Sequence, residues 1–156
     1  MIRNKPLVRF QRSSLLVADM DRALTFWRDT LGFEVVFHKT SAEESYSYDV
    51  FEIPRDRELR FCVLRTETQA NVIGLTEVKG LEPSTELPRR SAVVAECREL
   101  DAVVAKSKAL GLKVYREDHL VTKDGREGRE VGIVDFDGNL VTAYLITQAA
   151  PGAETA

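Results

Sequence analysis

Residues 14–37, SLLVADMDRALTFWRDTLGFEVVF, decide the fold of this chain. Alternating side chains upstream predict a strand from Leu7 to Val17. Asp19 is a good N-cap, and apolar residues then recur at helical spacing as far as Leu31. Gly32 supplies a helix stop, because glycine enters the left-handed conformation without penalty. The β-branched and aromatic stretch 33–38 predicts the next strand. The order is therefore strand, capped helix, strand.

The same order begins again near Ser91. In the first half, two further strands are predicted, at Tyr46–Ile53 and Glu58–Arg65. In the second half the pattern predicts a strand at 91–97, a helix at 99–111 and a strand at 112–116. A charged loop at 118–128 follows. The last two strands are predicted at 129–134 and 140–146, joined by the turn DFDGN at 135–139. Each half is thus predicted to be a βαβββ unit.

The predicted class is α+β, with two tandem βαβββ units forming a curled mixed sheet around a central cup. One unit covers only one face of its sheet with a helix, so two units must pair to bury more surface. We expect a first unit at 7–65, a connector at 66–90, a second unit at 91–146 and a flexible tail at 147–156, all within one domain spanning 7–146. A short strand or a helical turn is expected inside the connector, around Val72–Val78.

The composition and the cysteine content indicate which partners and which cellular compartment to expect for this protein. The formal net charge is −3 and the basic residues form no stripe, so we expect no nucleic-acid partner. Met1–Pro6 has no apolar signal-peptide core, and no apolar run is long enough to span a membrane. Cys62 and Cys97 lie in apolar strand-like runs and are expected to be free, buried thiols, as in a reducing cytosol. The expected location is the cytoplasm.

Strand alternation predicts which side chains line the cup. On the first, fifth and last strands these are Phe10, Arg12, Ser14 and Leu16; Ala92, Val94 and Glu96; and Leu140, Thr142 and Tyr144. The opposite set is more uniformly apolar and should pack on the helices: Leu15 and Val17; Val93, Ala95 and Cys97; and Val141, Ala143 and Leu145.

A permanent positive charge among these residues suggests an anionic or carbonyl-bearing organic ligand. The predicted ligand-binding set is Arg12, Ser14, Tyr48, Arg60, Glu96, Thr142 and Tyr144. An internal Arg12–Glu96 ion pair is the alternative, because buried charges must be paired. The candidates for catalysis are Glu96, Tyr144 and, if its charged loop acts as a lid, His119.

Three stretches carry a resemblance to a known family. They are residues 16–27 with 31–33, residues 100–103 with 110–111, and residues 135–140. In these the chain resembles the vicinal oxygen chelate superfamily, the fold of glyoxalase I, extradiol dioxygenases, methylmalonyl-CoA epimerase and the bleomycin- and fosfomycin-resistance proteins. The resemblance implies the two-unit cup and a homodimer.

The same resemblance implies four metal-ligand positions. They fall on Arg12, on Ala92 (or Ser91 if the register slips by one), on Thr142, and near Arg60 or Cys62. Arginine stays protonated and has no free lone pair, and alanine has no donor atom. We therefore expect no metal and no other cofactor.

The sequence thus predicts a protein that binds a small organic molecule in a metal-free cup, and leaves open whether it is an enzyme. One alternative is a glyoxalase-type metal-dependent lyase, isomerase or dioxygenase with displaced ligands. The other is a structural or regulatory dimer without catalysis.

Overall fold

The computed structural model describes residues 7–152. The predictions for Met1–Pro6 and for the end of the tail, 153–156, lie outside the described residues. The elements are β1 (Ser13–Val17), α1 (Met20–Trp27), β2 (Glu34–Thr40), α2 (Ser47–Val50), β3 (Leu59–Arg65), β4 (Ile73–Val78), β5 (Ala92–Glu96), α3 (Leu100–Ala109), β6 (Lys113–Val114), β7 (Asp118–Val121), β8 (Glu127–Val134) and β9 (Leu140–Gln148). None of the helices in this part of the chain is long and apolar enough to cross a membrane.

The first sheet has the strand order β1-β4-β3-β2, with β1 parallel to β4 and the other pairs antiparallel. Helix α1 begins as predicted, because the Asp19 side chain accepts a hydrogen bond from the Arg22 backbone N–H. Gly32 follows the helix with a φ of 88°. The predicted α+β fold with tandem βαβββ units is confirmed.

The strand predicted at Tyr46–Ile53 is wrong. Residues 47–50 form the short helix α2. Tyr48 and Ile53 turn inward and pack on Leu59 and Val78 in a small second core. This packing decides the local structure, since strand propensity yields to tertiary contacts.

The fourth strand of the first unit is β4, which lies inside the predicted connector and pairs with both β1 and β3. The strand expected around Val72–Val78 is therefore present. Every residue of β4 is buried, so the strand shows no alternation between polar and apolar positions.

The second sheet has the order β5-β9-β8-β6, and β5 runs parallel to β9 as β1 does to β4. The predicted charged loop at 118–128 is wrong over its first part, because Asp118–Val121 form β7 and pair with β8. The predicted tail also starts too early, since Thr147 and Gln148 belong to β9.

One hydrophobic core joins the two units. It contains Trp27 and Leu75 from the first unit and Ile133 and Ala143 from the second. The residues predicted to face the helices all belong to this core or pack against it. The face of each sheet that carries neither α1 nor α3 is called the helix-free face below; in the first sheet the short helix α2 packs at one end of it, against Leu16, Leu59 and Val78.

The turn DFDGN at 135–139 ties the two units together through hydrogen bonds. Asp135 accepts one from the indole N–H of Trp27 at 3.2 Å, and Asp137 accepts one from the backbone N–H of Ala18 at 2.8 Å. The Asn139 side-chain amide donates to the Leu16 carbonyl at 3.2 Å. The predicted turn is confirmed, and it also acts as a clamp between the units.

Candidate functional site

Arg12 lies on the helix-free face of the first sheet, immediately before β1. Gly74 is the paired neighbour of Ser14 across β1 and β4. A Cβ added to Gly74 would stand 3.3 Å from the Ser14 Oγ, 3.3 Å from the Phe61 ring and 3.4 Å from the Arg12 Cδ. The aliphatic part of Arg12 therefore extends over Gly74, into the space that a larger side chain there would occupy.

The guanidinium of Arg12 rests against an aromatic ring. Its central carbon is 5.7 Å from the centre of the Phe61 ring, and the Lys39 Nζ is 5.6 Å from the same centre. Such contacts position a cation without using its N–H donors. Arg12 is exposed, and within residues 7–152 it has no ion-pair partner. The predicted alternative, an ion pair between Arg12 and Glu96, is absent from the described structure.

Glu96 and Tyr144 are paired neighbours across β5 and β9, on the helix-free face of the second sheet. Tyr144 is also paired with Glu130 of β8. The tyrosine therefore stands between two carboxylates in neighbouring strands. Sequence reasoning missed Glu130, because polar residues point to both faces at this end of β8 and give no alternation signal.

The strand registers also locate the fourth position that the family resemblance implies. Thr142 pairs with Val94, two residues after Ala92. In the first unit the matching partner of Ser14, two residues after Arg12, is Gly74. The expected placement near Arg60 or Cys62 is wrong, because Cys62 points into the core on the helix side of the sheet. By this match of registers, the four positions that the resemblance implies correspond to Arg12, Gly74, Ala92 and Thr142.

Two predicted ligand-binding residues, Arg60 and Tyr48, are engaged in contacts of their own rather than free beside Arg12. Arg60 points to the helix side, where it approaches the buried Glu77 carboxylate at 3.5 Å. The same carboxylate accepts a hydrogen bond from the Met20 backbone N–H at 2.6 Å. Tyr48 is 5% exposed and its hydroxyl donates to the Arg57 carbonyl at 2.5 Å. Both side chains are already used by structural contacts.

His119 lies on β7 and does not form a lid. It is exposed, pairs with Arg129 in the β7–β8 register, and has its Nε2 3.8 Å from a Glu127 carboxylate oxygen. Arg129 itself binds Asp101 of α3, so this side of the hairpin is the helix side. His119 is therefore on the opposite face from Tyr144.

Two cavities lie where β1 and β5 approach each other. The larger, about 860 Å³, is called the long groove; it is lined by Phe10, Ala92, Val94, Glu96 and Tyr144 among others. The smaller, about 450 Å³, is called the seam cavity; Ser14 and Arg89 line it. The structure thus brings Glu96 and Tyr144 together in one cavity and places Ser14 in the other. Arg12 and Thr142 line neither cavity.

The two cysteine thiols, whose pKa values are raised by burial, are not part of this site. Burial raises the pKa of Cys62 to about 11 and also raises the pKa of Cys97. Both cysteines are free, as predicted, and both lie in the core on the helix side. A raised pKa and burial disfavour the thiolate, so neither is suited to nucleophilic chemistry.

The family is now established by comparison. The chain belongs to the Glyoxalase/Bleomycin resistance protein/Dioxygenase superfamily, whose sequence profile matches residues 9–142. A search of curated proteins finds no match.

Solved structures support the same fold. A glyoxalase family protein from Bacillus cereus is 18% identical, with a TM-score of 0.67 over 94% of this chain and 98% of that one. The trypanothione-dependent glyoxalase I of Leishmania major is 19% identical, with a TM-score of 0.59 over 87% of this chain and 85% of that one. The fosfomycin resistance protein FosX of Listeria monocytogenes, in a structure with Mn(II) and sulfate, is 17% identical, with a TM-score of 0.55 over 91% of this chain and 95% of that one. At these identities the likeness concerns the fold.

The residues present do not fit a divalent metal at the family positions. Of Arg12, Gly74, Ala92 and Thr142, only the threonine hydroxyl offers a lone pair to a cation. A stable site for a transition metal needs three or four N, O or S ligands. Across residues 7–152, no group of three or more His, Cys, Asp or Glu side chains is placed to hold a metal ion.

Proposed function

We propose that this protein binds a small anionic or carbonyl-bearing organic molecule on its helix-free face, through Arg12 and without a resident metal. The observation that carries the proposal is that the Arg12 guanidinium is exposed and unpaired among the described residues. Its guanidinium is exposed, lies against Phe61 and has no carboxylate partner in residues 7–152. Its planar fork of N–H donors suits a carboxylate or a polarised carbonyl oxygen.

The residues at the ligand positions implied by the family support the proposal that no metal is bound. In a metal site, two cation ligands would stand at Arg12 and Gly74, next to each other on neighbouring strands. Here the first position carries a permanent cation, and its stem fills the space over the second. A guanidinium in this place also repels a divalent cation. Arginine then supplies the positive charge that a metal would otherwise direct at a ligand.

Glu96 and Tyr144 are the groups proposed to act on a ligand that extends from Arg12 into the long groove, which Arg12 itself does not line. They are neighbours in the β5–β9 register and line the long groove. A carboxylate beside a phenol provides a proton acceptor and a hydrogen-bond donor, the minimum for proton transfer next to a carbonyl. This part of the proposal makes the protein an enzyme of the lyase or isomerase type, and substitution of Glu96 tests it separately from binding.

The proposed assembly is a homodimer, as the family resemblance implies, and the proposed location is the cytoplasm. Two large apolar side chains near the long groove support it, since Phe10 is 73% and Val94 is 66% exposed. Large exposed apolar patches mark interaction sites. Light scattering coupled to size-exclusion chromatography tests the assembly: a mass near twice 17.5 kDa supports it, and a mass near 17.5 kDa contradicts it.

The test of binding compares Arg12 variants. Small carboxylates, thioesters and aromatic compounds are first screened for thermal stabilisation of the wild type, and hits are titrated by calorimetry. We expect Arg12→Ala to weaken binding on the order of tenfold or more, because a charge-assisted hydrogen bond contributes about 1.5–3 kcal/mol. Arg12→Lys should recover only part of this, since lysine lacks the planar fork.

The matched control is Arg126→Ala, which removes the same charge from an exposed hairpin where Arg126 pairs with Asp124. Binding that is equal in the wild type, the Arg12→Ala variant and this control would remove Arg12 from the site. If no compound stabilises the wild type, the non-catalytic structural dimer becomes the better account.

A further inference from the structure

The Phe61 ring, on the helix-free face of the first sheet, is approached by two cations, and the proposed function uses only one of them. Phe61 of β3 is paired with Thr76 of β4 on one side and with Lys39 of β2 on the other. Arg12 reaches the same ring from the β1 side, over Gly74. Since β1 and β2 are the outer strands of this sheet, the two cations come to one ring from its opposite edges.

Both cations are accessible and uncommitted. The central guanidinium carbon of Arg12 is 5.7 Å from the centre of the Phe61 ring, and the Lys39 Nζ is 5.6 Å from it. Both side chains are exposed, and neither forms an ion pair within residues 7–152. At the end of β3, by contrast, Arg65 pairs with Glu34 at 2.7 Å. Arg12 and Lys39 are therefore both able to take an external anion.

Thr76 adds a hydroxyl to the same surface. The residue is 2% exposed, and its hydroxyl has no hydrogen-bond partner within residues 7–152. The fully enclosed side-chain atoms without a partner in this part of the chain belong to other residues, so the Thr76 hydroxyl keeps contact with solvent. Val78, the next residue of β4 on this face, is covered by α2. Thr76 therefore lies where the covered end of the face meets the open part beside Phe61, within reach of a small ligand.

From these contacts we propose that the ligand of the Arg12 site is a dicarboxylate, with Lys39 as the second cation and the Thr76 hydroxyl as a hydrogen-bond donor. This inference rests on the proposed function, which places an anionic group at Arg12, and adds a second charge to the ligand. Because the two cations reach the ring from opposite edges, two carboxylates on a short carbon chain can each meet one of them. The doubly charged part of the ligand then lies over Phe61, and the rest extends past Arg12 toward the long groove.

The test uses the full chain and two probes that differ by one carboxylate, succinate and butyrate. Each is titrated by calorimetry at neutral pH and constant ionic strength. We expect the wild type to bind succinate roughly two- to fivefold more tightly than butyrate, the contribution of one exposed ion pair. Lys39→Ala should remove this preference and leave butyrate binding unchanged. Thr76→Val, which keeps the branched shape, should weaken succinate binding without lowering the melting temperature, because the hydroxyl has no partner within residues 7–152.

The matched control is Lys123→Ala, which removes the same charge from the turn between β7 and β8, where Lys123 is exposed. It should leave the affinity for both probes unchanged. Arg12→Ala should weaken both probes, and this result separates the inference from the proposed function. A preference for succinate that survives in Lys39→Ala overturns the inference, while the weakened binding in Arg12→Ala leaves the proposed function standing. Equal affinity of the wild type for the two probes, or binding of neither, also overturns the inference. Unchanged binding of both probes in Arg12→Ala contradicts the proposed function and the inference with it.

Discussion

Replacing Asp135 with alanine should break the clamp between the two units. The Asp135 carboxylate is buried, with 6% of the residue exposed. It accepts four hydrogen bonds, at 2.8–3.2 Å, from the backbone N–H groups of Asp137 and Asn139, the Asn139 side-chain amide and the Trp27 indole. Removing it leaves these donors without their acceptor.

The expected cost follows from those donors. Each buried donor left unsatisfied costs about 1–3 kcal/mol, but the partly buried Asn139 groups can recover water. The Trp27 indole N–H cannot, because Trp27 is fully buried. We expect a loss of about 3–5 kcal/mol in the free energy of unfolding. For a chain of this size that corresponds to a fall of roughly 6–20 °C in the melting temperature.

The assay is urea denaturation followed by fluorescence of Trp27, the only tryptophan. The control is Asp124→Ala, an exposed hairpin carboxylate that pairs with Arg126 and should change stability by less than about 0.5 kcal/mol. A double-mutant cycle of Asp135→Ala with Trp27→Phe, followed by circular dichroism because the second change removes the fluorescent residue, should show a coupling of about 0.5–3 kcal/mol. A loss below about 1 kcal/mol for Asp135→Ala would refute the clamp.

Three further predictions concern groups near the clamp and in the core. Burial raises the pKa of Asp137, aided by the charge of Asp135. The stability that Asp137 contributes is therefore present at acid pH and is lost as pH rises through its folded pKa. In denaturant titrations, the stability of Asp137→Asn relative to the wild type should therefore increase as pH rises above about 4. Equal pH profiles would contradict this. Cys62, buried with its pKa at about 11, should resist iodoacetamide at pH 7.5 in the native protein and react after unfolding, as mass spectrometry can show; rapid native labelling would count against its placement. Gly138→Ala should lower the free energy of unfolding by at least about 2 kcal/mol, because a Cβ at this φ of 87° would stand 2.2 Å from the Ser84 carbonyl oxygen. An unchanged melting temperature in this variant would show that the segment around Ser84 does not pack against Gly138.

The elements with strong local signals were predictable from the sequence. The Asp19 cap and the DFDGN turn are set by residues within one turn of the chain, and both are present. The stop predicted at Gly32 is not where the helix ends: α1 ends at Trp27, and Gly32 takes its positive φ in the turn that follows. Strand β4 carried no such signal. It is buried on both faces and contains Gly74. It also contains the buried Glu77, whose carboxylate is paired with Arg60 and accepts a hydrogen bond from the Met20 N–H, both distant in sequence.

The candidate site was predictable only in part, because it also depends on how strands pair in the folded sheet. Alternation along β1 and β9 placed Arg12 and Tyr144 on the helix-free face, because the opposite positions are uniformly apolar. The register of β3 was not readable, since sheet neighbours are set by tertiary pairing, and Arg60 was therefore assigned to the wrong face. Glu130 lies where polar residues of β8 point to both faces, so only its pairing with Tyr144 identifies it.

The most direct test of the account is the metal content of protein purified without chelator and then dialysed after incubation with Zn²⁺, Ni²⁺, Mn²⁺ and Fe²⁺. Arg12, Gly74 and Ala92 offer no metal donor at the family ligand positions, so the account predicts far less than one retained ion per chain by elemental analysis. One tightly held ion per chain would contradict the account.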